Sequence, residues 1–143
     1  MFSMKKIYLI SITIILLLLV SGCGIKEWVE DLNKPVRILD VRVDPKQPGL
    51  GDSIVINVDI NNKNELSFIP KFNLDYDACF RNFYRSRTYD RISANSEKTY
   101  ELDFDVSRWD NDCIGIHNIT VEVLESSTDN VLDDHEIKIN VID

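Results

Sequence analysis

The feature that most limits the fold of this chain is an apolar alternation with a period of two, which begins after Pro35. Successive side chains of an extended strand point to opposite faces, so this period gives each segment one apolar face. Turn-forming Gly, Pro, Asn, Asp and Ser separate the segments. The apolar positions are Leu39, Val41 and Val43; Ile54, Ile56, Val58 and Ile60; Phe72, Leu74 and Tyr76; Tyr100, Leu102, Phe104 and Val106; Ile119, Val121 and Val123; and Ile137, Ile139 and Val141. Six such strands predict an antiparallel β-sandwich.

A shorter seventh strand is predicted between Phe83 and Ile92, where the alternation is weak. The tripeptide 133–135, Asp-Asp-His, reads as a turn. The expected fold class is therefore all-β, a single sandwich of about seven strands over residues 36–143. An N-terminal hydrophobic signal or anchor helix precedes it.

The first 22 residues have the composition of an export signal. Two lysines precede an uncharged apolar run, residues 7–20, and small residues at positions 21 and 22 lead to Cys23. Small residues let a signal peptidase close on the backbone, and the thiol of Cys23 then carries a lipid. In every part of this motif the chain resembles the bacterial and archaeal lipoproteins.

An uncleaved signal anchor is the alternative. Residues 7–25 are 19 positions without a charge, about the length that spans a bilayer. Under both interpretations the remaining chain faces outward from a cell membrane, either in the periplasm or outside the cell. Residues 23–35 are then a tether to the domain.

The charge of the exported part limits its partners. Two of the 16 basic residues lie in the first 22 positions, which leaves 14 against 24 acidic ones and a net charge of −10. Nucleic acid and anionic lipid are therefore poor partners for the surface as a whole. The 121 residues after position 22 fit one domain with its own core.

The turns and strands over residues 36–143 carry a family resemblance. They include segment 41–45, Pro48, segment 51–58, and segment 92–97, in which Asn95 stands where glycine is usual. His117 occupies an inward position that often holds tyrosine. In these features the chain resembles the immunoglobulin-like domains of the CARDB type, found on bacterial cell surfaces and in archaea. The resemblance implies an immunoglobulin-like sandwich and a role in display and adhesion.

Two cysteines remain once Cys23 is assigned to lipid. Cys79 follows the third predicted strand and Cys113 precedes the strand that begins near Gly115. In an immunoglobulin-like topology these strands are antiparallel neighbours, which brings the two thiols near each other. Disulfides persist in an oxidising compartment, so a Cys79–Cys113 bridge is expected, with two buried free thiols as the alternative.

The expected bridge would also draw together acidic side chains on two loops. Clustered carboxylates on exposed loops can bind calcium weakly. The EF-hand spacing is absent, so solvated surface carboxylates are the alternative and no other cofactor is expected. The candidate ligands are Asp75, Asp77, Asp110 and Asp112.

An arginine-rich segment, Phe80 to Ile92, contrasts with the acidic background. Guanidinium groups and flat rings bind carboxylates, sugars and protein surfaces with little loss of entropy. The alternative is an edge strand whose charges prevent sheet aggregation. The candidate binding residues are Arg81, Tyr84, Arg85, Arg87, Tyr89 and Arg91.

The sequence contains no recognised catalytic set, because it lacks a nucleophile elbow, a spaced pair of catalytic carboxylates and a paired histidine site. We therefore expect no enzyme activity. The expected function is that of a lipid-anchored surface protein whose domain binds, adheres to or supports an envelope protein or glycan. An accessory subunit of a membrane transporter or secreted enzyme complex is the alternative.

Overall fold

The segments with apolar alternation form most of two four-stranded antiparallel sheets, which pack face to face. The structure, a computed structural model, describes residues 34–76, 79–81, 86–106 and 111–143, and only the backbone of Arg81, Phe104, Asp105 and Asn111. Residues Pro35–Asp143 form one unit. The anchor segment and Cys23 lie outside the described residues. Within the described part no helix has the length and apolar character needed to span a membrane.

Eight strands lie within the described residues, and a single 3-10 turn, Asn111–Cys113, precedes the seventh. The first sheet has the order β1-β2-β6-β4, and the second has the order β5-β3-β7-β8. The strands are β1 Val36–Asp44, β2 Ser53–Asn62, β3 Pro70–Asp75, β4 Phe80–Arg81, β5 Ser86–Thr88, β6 Ser96–Val106, β7 Gly115–Glu125 and β8 Val131–Val141.

The predicted antiparallel sandwich is confirmed. The six long strands are the six that the alternation predicts, and β5 lies inside the predicted seventh segment. The two-residue strand β4 has no counterpart among the predicted strands. Inward side chains of both sheets form one core, in which Ile54, Ile56, Leu102 and Val121 are inaccessible to solvent. Burying each such side chain stabilises the fold by roughly 1.5–3 kcal/mol.

The prediction that Leu39 faces the core is wrong, because β1 contains a β-bulge. Its register against β2 shifts between Ile38 and Asp40, and Leu39 is 45% exposed. An extra residue in one strand reverses the alternation beyond it. Ile38 therefore points inward before the bulge and Val41 after it.

The interpretation of residues 133–135 as a turn is also wrong, since all three lie inside β8. Asp134 pairs with Glu122 of β7, so the backbone continues as a strand. Asp133 points inward and is buried, and its Oδ2 accepts the backbone N–H of Ile38 at 2.8 Å. A carboxylate on the second sheet thus satisfies a backbone donor beside the bulge of the first sheet.

The two ends of the sandwich follow from the strand registers. Val36 pairs with Asn62, and Asn62 pairs with Ser96, so β1 begins at the end where β2 finishes. Asp133, near the start of β8, contacts Ile38 at this end. We name this the entry end, because the chain reaches the domain here, and we name the opposite end the far end. The start of β7 and the Cys79–Cys113 pair lie at the far end.

Candidate functional site

The structure describes only part of the predicted arginine-rich binding segment. Tyr84 and Arg85 lie outside the described residues, and only the backbone of Arg81 is described, in β4. Arg87 lies in β5, with Tyr89 directly after that strand. The candidate site is therefore built from Arg87, Tyr89 and their neighbours.

Arg87 occupies an inward position on an edge strand. It is paired with Phe72 of β3, so the two side chains lie on the same face of the second sheet. Phe72 is buried in the core, whereas Arg87 is exposed because β5 is the last strand of its sheet. Its guanidinium therefore lies along the open side of the sandwich.

A groove of about 550 Å³ opens on this side, between the end of β5 and the first half of β6. Residues 87–90 form one wall and residues 98–101 form the other. The two walls belong to different sheets, so only the packing of the sandwich brings them together. We name this feature the tyrosine groove.

Three aromatic rings fix the tyrosine groove to the core. The Phe72 ring lies 5.3 Å from the Tyr89 ring, edge on, and 5.3 Å from the Tyr100 ring. The Tyr89 and Tyr100 rings are 5.9 Å apart in an edge-to-face arrangement. Such contacts stabilise by ~0.5–1.5 kcal/mol beyond burial, so both tyrosines are held rigidly.

Each tyrosine carries a cation over its ring. The guanidinium carbon of Arg87 lies 5.4 Å from the Tyr89 centroid, and Nζ of Lys98 lies 4.9 Å from the Tyr100 centroid. Nζ of Lys98 also donates to the Arg91 carbonyl oxygen at 3.3 Å. These are cation–π distances, so the side chains place two positive charges along the groove.

Both tyrosine hydroxyls remain protonated near neutral pH. Burial raises the pKa of Tyr100 to about 12, with a smaller contribution from the charge of Asp90. Burial also raises the pKa of Tyr89, which the nearby charge of Arg87 partly offsets. Tyr100 donates its hydroxyl to the Asp90 carbonyl oxygen at 2.9 Å. The Tyr89 hydroxyl is buried, and the Arg87 side chain lies near it.

The tyrosine groove carries both signs of charge. Arg87 and Lys98 line it together with Asp90 and Glu101. Neutral phenols and mixed charges on a rigid aromatic base suit the binding of a polar ligand. Arg91 does not line the groove, because its guanidinium donates to the Ser67 hydroxyl at 3.0 Å.

Sequence reasoning missed Lys98 and Tyr100 as groove residues. Tyr100 is part of the apolar alternation of β6 and was expected only in the core. Lys98 occupies an inward position two residues earlier, at the start of the same strand. A lysine at an inward position of a strand is the sequence signal that could have revealed an opening there.

The predicted bridge between Cys79 and Cys113 is confirmed. Their Cα atoms are 5.3 Å apart, and the two sulfur atoms are bonded. β3 and β7 are antiparallel neighbours, with Leu74 opposite Val121. The bridge therefore joins the chain that leaves β3 to the 3-10 turn that leads into β7.

The calcium hypothesis stays a prediction. Asp75 and Asp112 are exposed at the far end, whereas Asp77 and Asp110 lie outside the described residues. Among the residues that the structure describes, no group of three potential ligands is close enough to hold a metal ion. His117 is not part of a metal site there, since its Nε2 donates to the Cys113 carbonyl oxygen at 2.8 Å.

Comparison with known proteins shows the fold and no family. No protein-family model matches the chain, and no curated protein matches it. A FixG-related protein from Vibrio parahaemolyticus has a similar structure, with 14% identity, a TM-score of 0.50, and coverage of 75% of this chain and 96% of that one. The solved structures that resemble this chain belong to diverse proteins, so the similarity carries no information about activity.

Two larger proteins contain a similar domain. Alpha-2-macroglobulin from Escherichia coli matches at 16% identity and a TM-score of 0.51, over 78% of this chain and 17% of that one. A beta-glucuronidase of glycoside hydrolase family 2 matches at 9% identity and a TM-score of 0.55, over 75% of this chain and 13% of that one. In both, the similarity covers a small part of a long chain. The domain has an immunoglobulin-like all-β fold.

Proposed function

We propose that this chain is an exported lipoprotein, anchored to a cell membrane by lipid on Cys23, whose domain is a non-catalytic binding module. The observation that carries the proposal is the bond between Cys79 and Cys113. The chain has three cysteines, so this bond leaves Cys23 unassigned, at the end of a lipoprotein-type signal. A disulfide is also typical of proteins in an oxidising compartment.

The CARDB type is our finer proposal for the domain. Asn95 has a φ of 47°, at the position where domains of that type usually have glycine. Gly51, in the turn before β2, has a φ of 84°. Glycine adopts these angles easily, and asparagine is enriched among the other residues that do so. The two turns are consistent with the resemblance.

The position of the entry end supports display of the domain outside a membrane. β1 starts at this end, so a lipid on Cys23 is connected to it through residues 24–35. Twelve residues span at most ~40 Å, which would keep the domain near the membrane. The tyrosine groove lies on the side of the sandwich formed by β5 and β6, whereas Pro35 precedes β1.

We propose the tyrosine groove as the recognition site, with Arg87 and Tyr89 as its central residues. A ligand with both polar groups and a flat apolar face, such as a glycan or a protein loop, fits its chemistry. The net charge of −10 argues against nucleic acid. Recognition on a rigid strand end is common in sandwich domains.

A labelling experiment tests the anchor. Cells that express the full chain are fed an alkyne fatty acid, and the protein is examined for the label. Cys23→Ala is expected to abolish labelling and to leave the precursor uncleaved. The control variant, Cys79→Ser with Cys113→Ser, retains Cys23 and should keep the label. Label that persists in the Cys23→Ala variant would overturn the proposal.

A second candidate function, an accessory subunit of a membrane complex, is favoured by one surface feature. Ile114, Ile116 and Ile142 are exposed on the outer face of the second sheet at the far end, and Ile116 is 72% exposed. Adjacent apolar side chains that face solvent often mark a protein interface. A photo-crosslinking residue at position 116 should then capture one membrane protein in intact cells. The same residue at Leu66, exposed at the entry end, is the control.

A further inference from the structure

We propose that two copies of this chain associate by pairing their β8 strands edge to edge, antiparallel, with Glu136 of one copy opposite Lys138 of the other. The contact is a symmetric one, in which the same strand of both copies takes part. It is distinct from the tyrosine groove, which lies on the opposite side of the sandwich. The pairing does not depend on the lipid.

The first observation is the open edge of β8. This strand pairs with β7 on one side, and on the other side the described residues leave it unpaired from Asp134 to Asn140. The N–H of Ile142 donates to the Pro48 carbonyl oxygen at 2.9 Å on that open side. Backbone groups alternate in direction along a strand, so those of Asn140, Lys138, Glu136 and Asp134 point the same way. A second strand would give them hydrogen-bond partners.

The second observation is that the charges along this edge are self-complementary in one register. When the two strands are centred on Ile137, Glu136 lies opposite the partner's Lys138, and symmetry repeats the pair. Asp134 then lies opposite the partner's Asn140. Centring on residue 136 would place two Glu136 side chains together, although it would also place Asp134 opposite the partner's Lys138. Centring on residue 138 would place two Lys138 side chains together. Like charges directly opposite each other destabilise a strand pair, so of these three registers only the one centred on Ile137 has attractive pairs and no like-charge contact.

Both charged groups are available for this contact. Glu136 and Lys138 are exposed, and neither forms an ion pair within the described part of the chain. Arg42 on the neighbouring β1 differs, because its guanidinium contacts the Asp59 carboxylate at 2.8 Å.

The third observation is a groove beside the open edge, lined by both charged and apolar residues. It has a volume of about 670 Å³ and runs between β1 and β8. Val41, Val43 and Ile137 form its apolar surface, and all three pack against the core. In the proposed register Ile137 lies opposite the partner's Ile137, on the same face as this groove. Association would therefore cover apolar surface as well as unpaired backbone groups.

The extent of pairing is limited at one end. Gly49 pairs with Ile142 and takes the edge of β8 there. The shared strand segment is therefore residues 134–140, a small contact that would hold copies weakly in dilute solution.

Charge reversal tests the pairing. The full chain is purified in detergent, and association is measured by sedimentation over a range of concentrations. Glu136→Lys and Lys138→Glu each turn two attractive pairs into two repulsive ones, and each should weaken association roughly tenfold or more. A mixture of the two variants restores opposite charges at both contacts and should associate as well as the unmodified chain. The double variant should also associate.

A matched control separates pairing from net charge. Glu65→Lys makes the same change in net charge as Glu136→Lys, on an exposed position between β2 and β3, and should leave association unchanged. Melting curves verify that every variant is folded. A chain that stays monomeric at all concentrations overturns the proposal. So does a mixture of the two single variants that associates no better than either alone.

Discussion

Replacing Asn62 with alanine should destabilise the domain strongly, although the residue lies at the end of β2 and contacts no groove. Its side chain is fully buried. Nδ2 donates to the carbonyl oxygens of Leu66 at 3.0 Å and Ser93 at 2.9 Å. Oδ1 accepts the N–H of Asn64 at 3.1 Å. One amide therefore holds two loops together at the entry end.

The magnitude follows from these three bonds. Asn62→Ala removes all three and leaves two carbonyl groups and one N–H without that partner. At ~1 kcal/mol for each bond, the free energy of unfolding falls by ~3 kcal/mol. For a domain of this size that corresponds to a drop in melting temperature of roughly 12 °C. Thermal melting followed by circular dichroism measures the drop.

The neighbouring asparagine provides the control. Asn61 makes one side-chain bond, from Nδ2 to Oε1 of Glu97 at 3.0 Å, in an exposed position. Asn61→Ala should therefore change the free energy of unfolding by no more than ~0.5 kcal/mol. Equal effects of the two substitutions would refute the reasoning, because burial and the number of bonds would then not decide the cost.

The disulfide, the two groove tyrosines and Arg87 provide further tests. Reducing the Cys79–Cys113 bond, whose sequence separation is 34, should lower the free energy of unfolding by ~4 kcal/mol, as measured by urea unfolding with and without reductant. The raised pKa values of Tyr89 and Tyr100 mean that the folded chain holds their protons more tightly than the unfolded chain, whose value is near 10.0. The contribution of Tyr100 to stability should therefore be constant up to about pH 10 and be lost as the pH rises through about 12, in step with tyrosinate absorbance; Tyr89 should contribute in the same direction. Arg87→Ser should lower the free energy of unfolding by less than ~1 kcal/mol in melting experiments, since Arg87 is exposed and its main contact is with the Tyr89 ring. A decrease as large as that for a core residue would show that Arg87 serves to stabilise the fold and is not a recognition residue.

The strands were predictable where the alternation depends on local burial alone. β2 keeps an unbroken period of two, β7 keeps it as far as Val123, and both are predicted correctly from residues such as Ile56 and Val121. β1 was not, because the bulge at Leu39 adds a residue without any change in composition. The nearby backbone donor of Ile38 is satisfied by Asp133, which is 95 residues away. A local pattern carries no information about that contact.

The tyrosine groove was predictable only in part, for a related reason. Arg87 and Tyr89 stood out by composition, because arginines are concentrated in one segment of an acidic chain. Lys98 and Tyr100 belong to another strand and another sheet, and the sequence between them and Arg87 shows no sign of contact. The groove exists because β5 ends one sheet beside β6 of the other. Sheet assignment, which decides this, is a property of the whole fold.

The mass of the mature chain tests the central claim most directly. The protein is purified from its native membrane in detergent and its intact mass is measured. We expect a chain that begins at Cys23, with the mass of a lipid added there and the Cys79–Cys113 bond intact. A chain that retains residues 1–22, or one that begins at Cys23 without added lipid, would contradict the proposal of a lipid anchor.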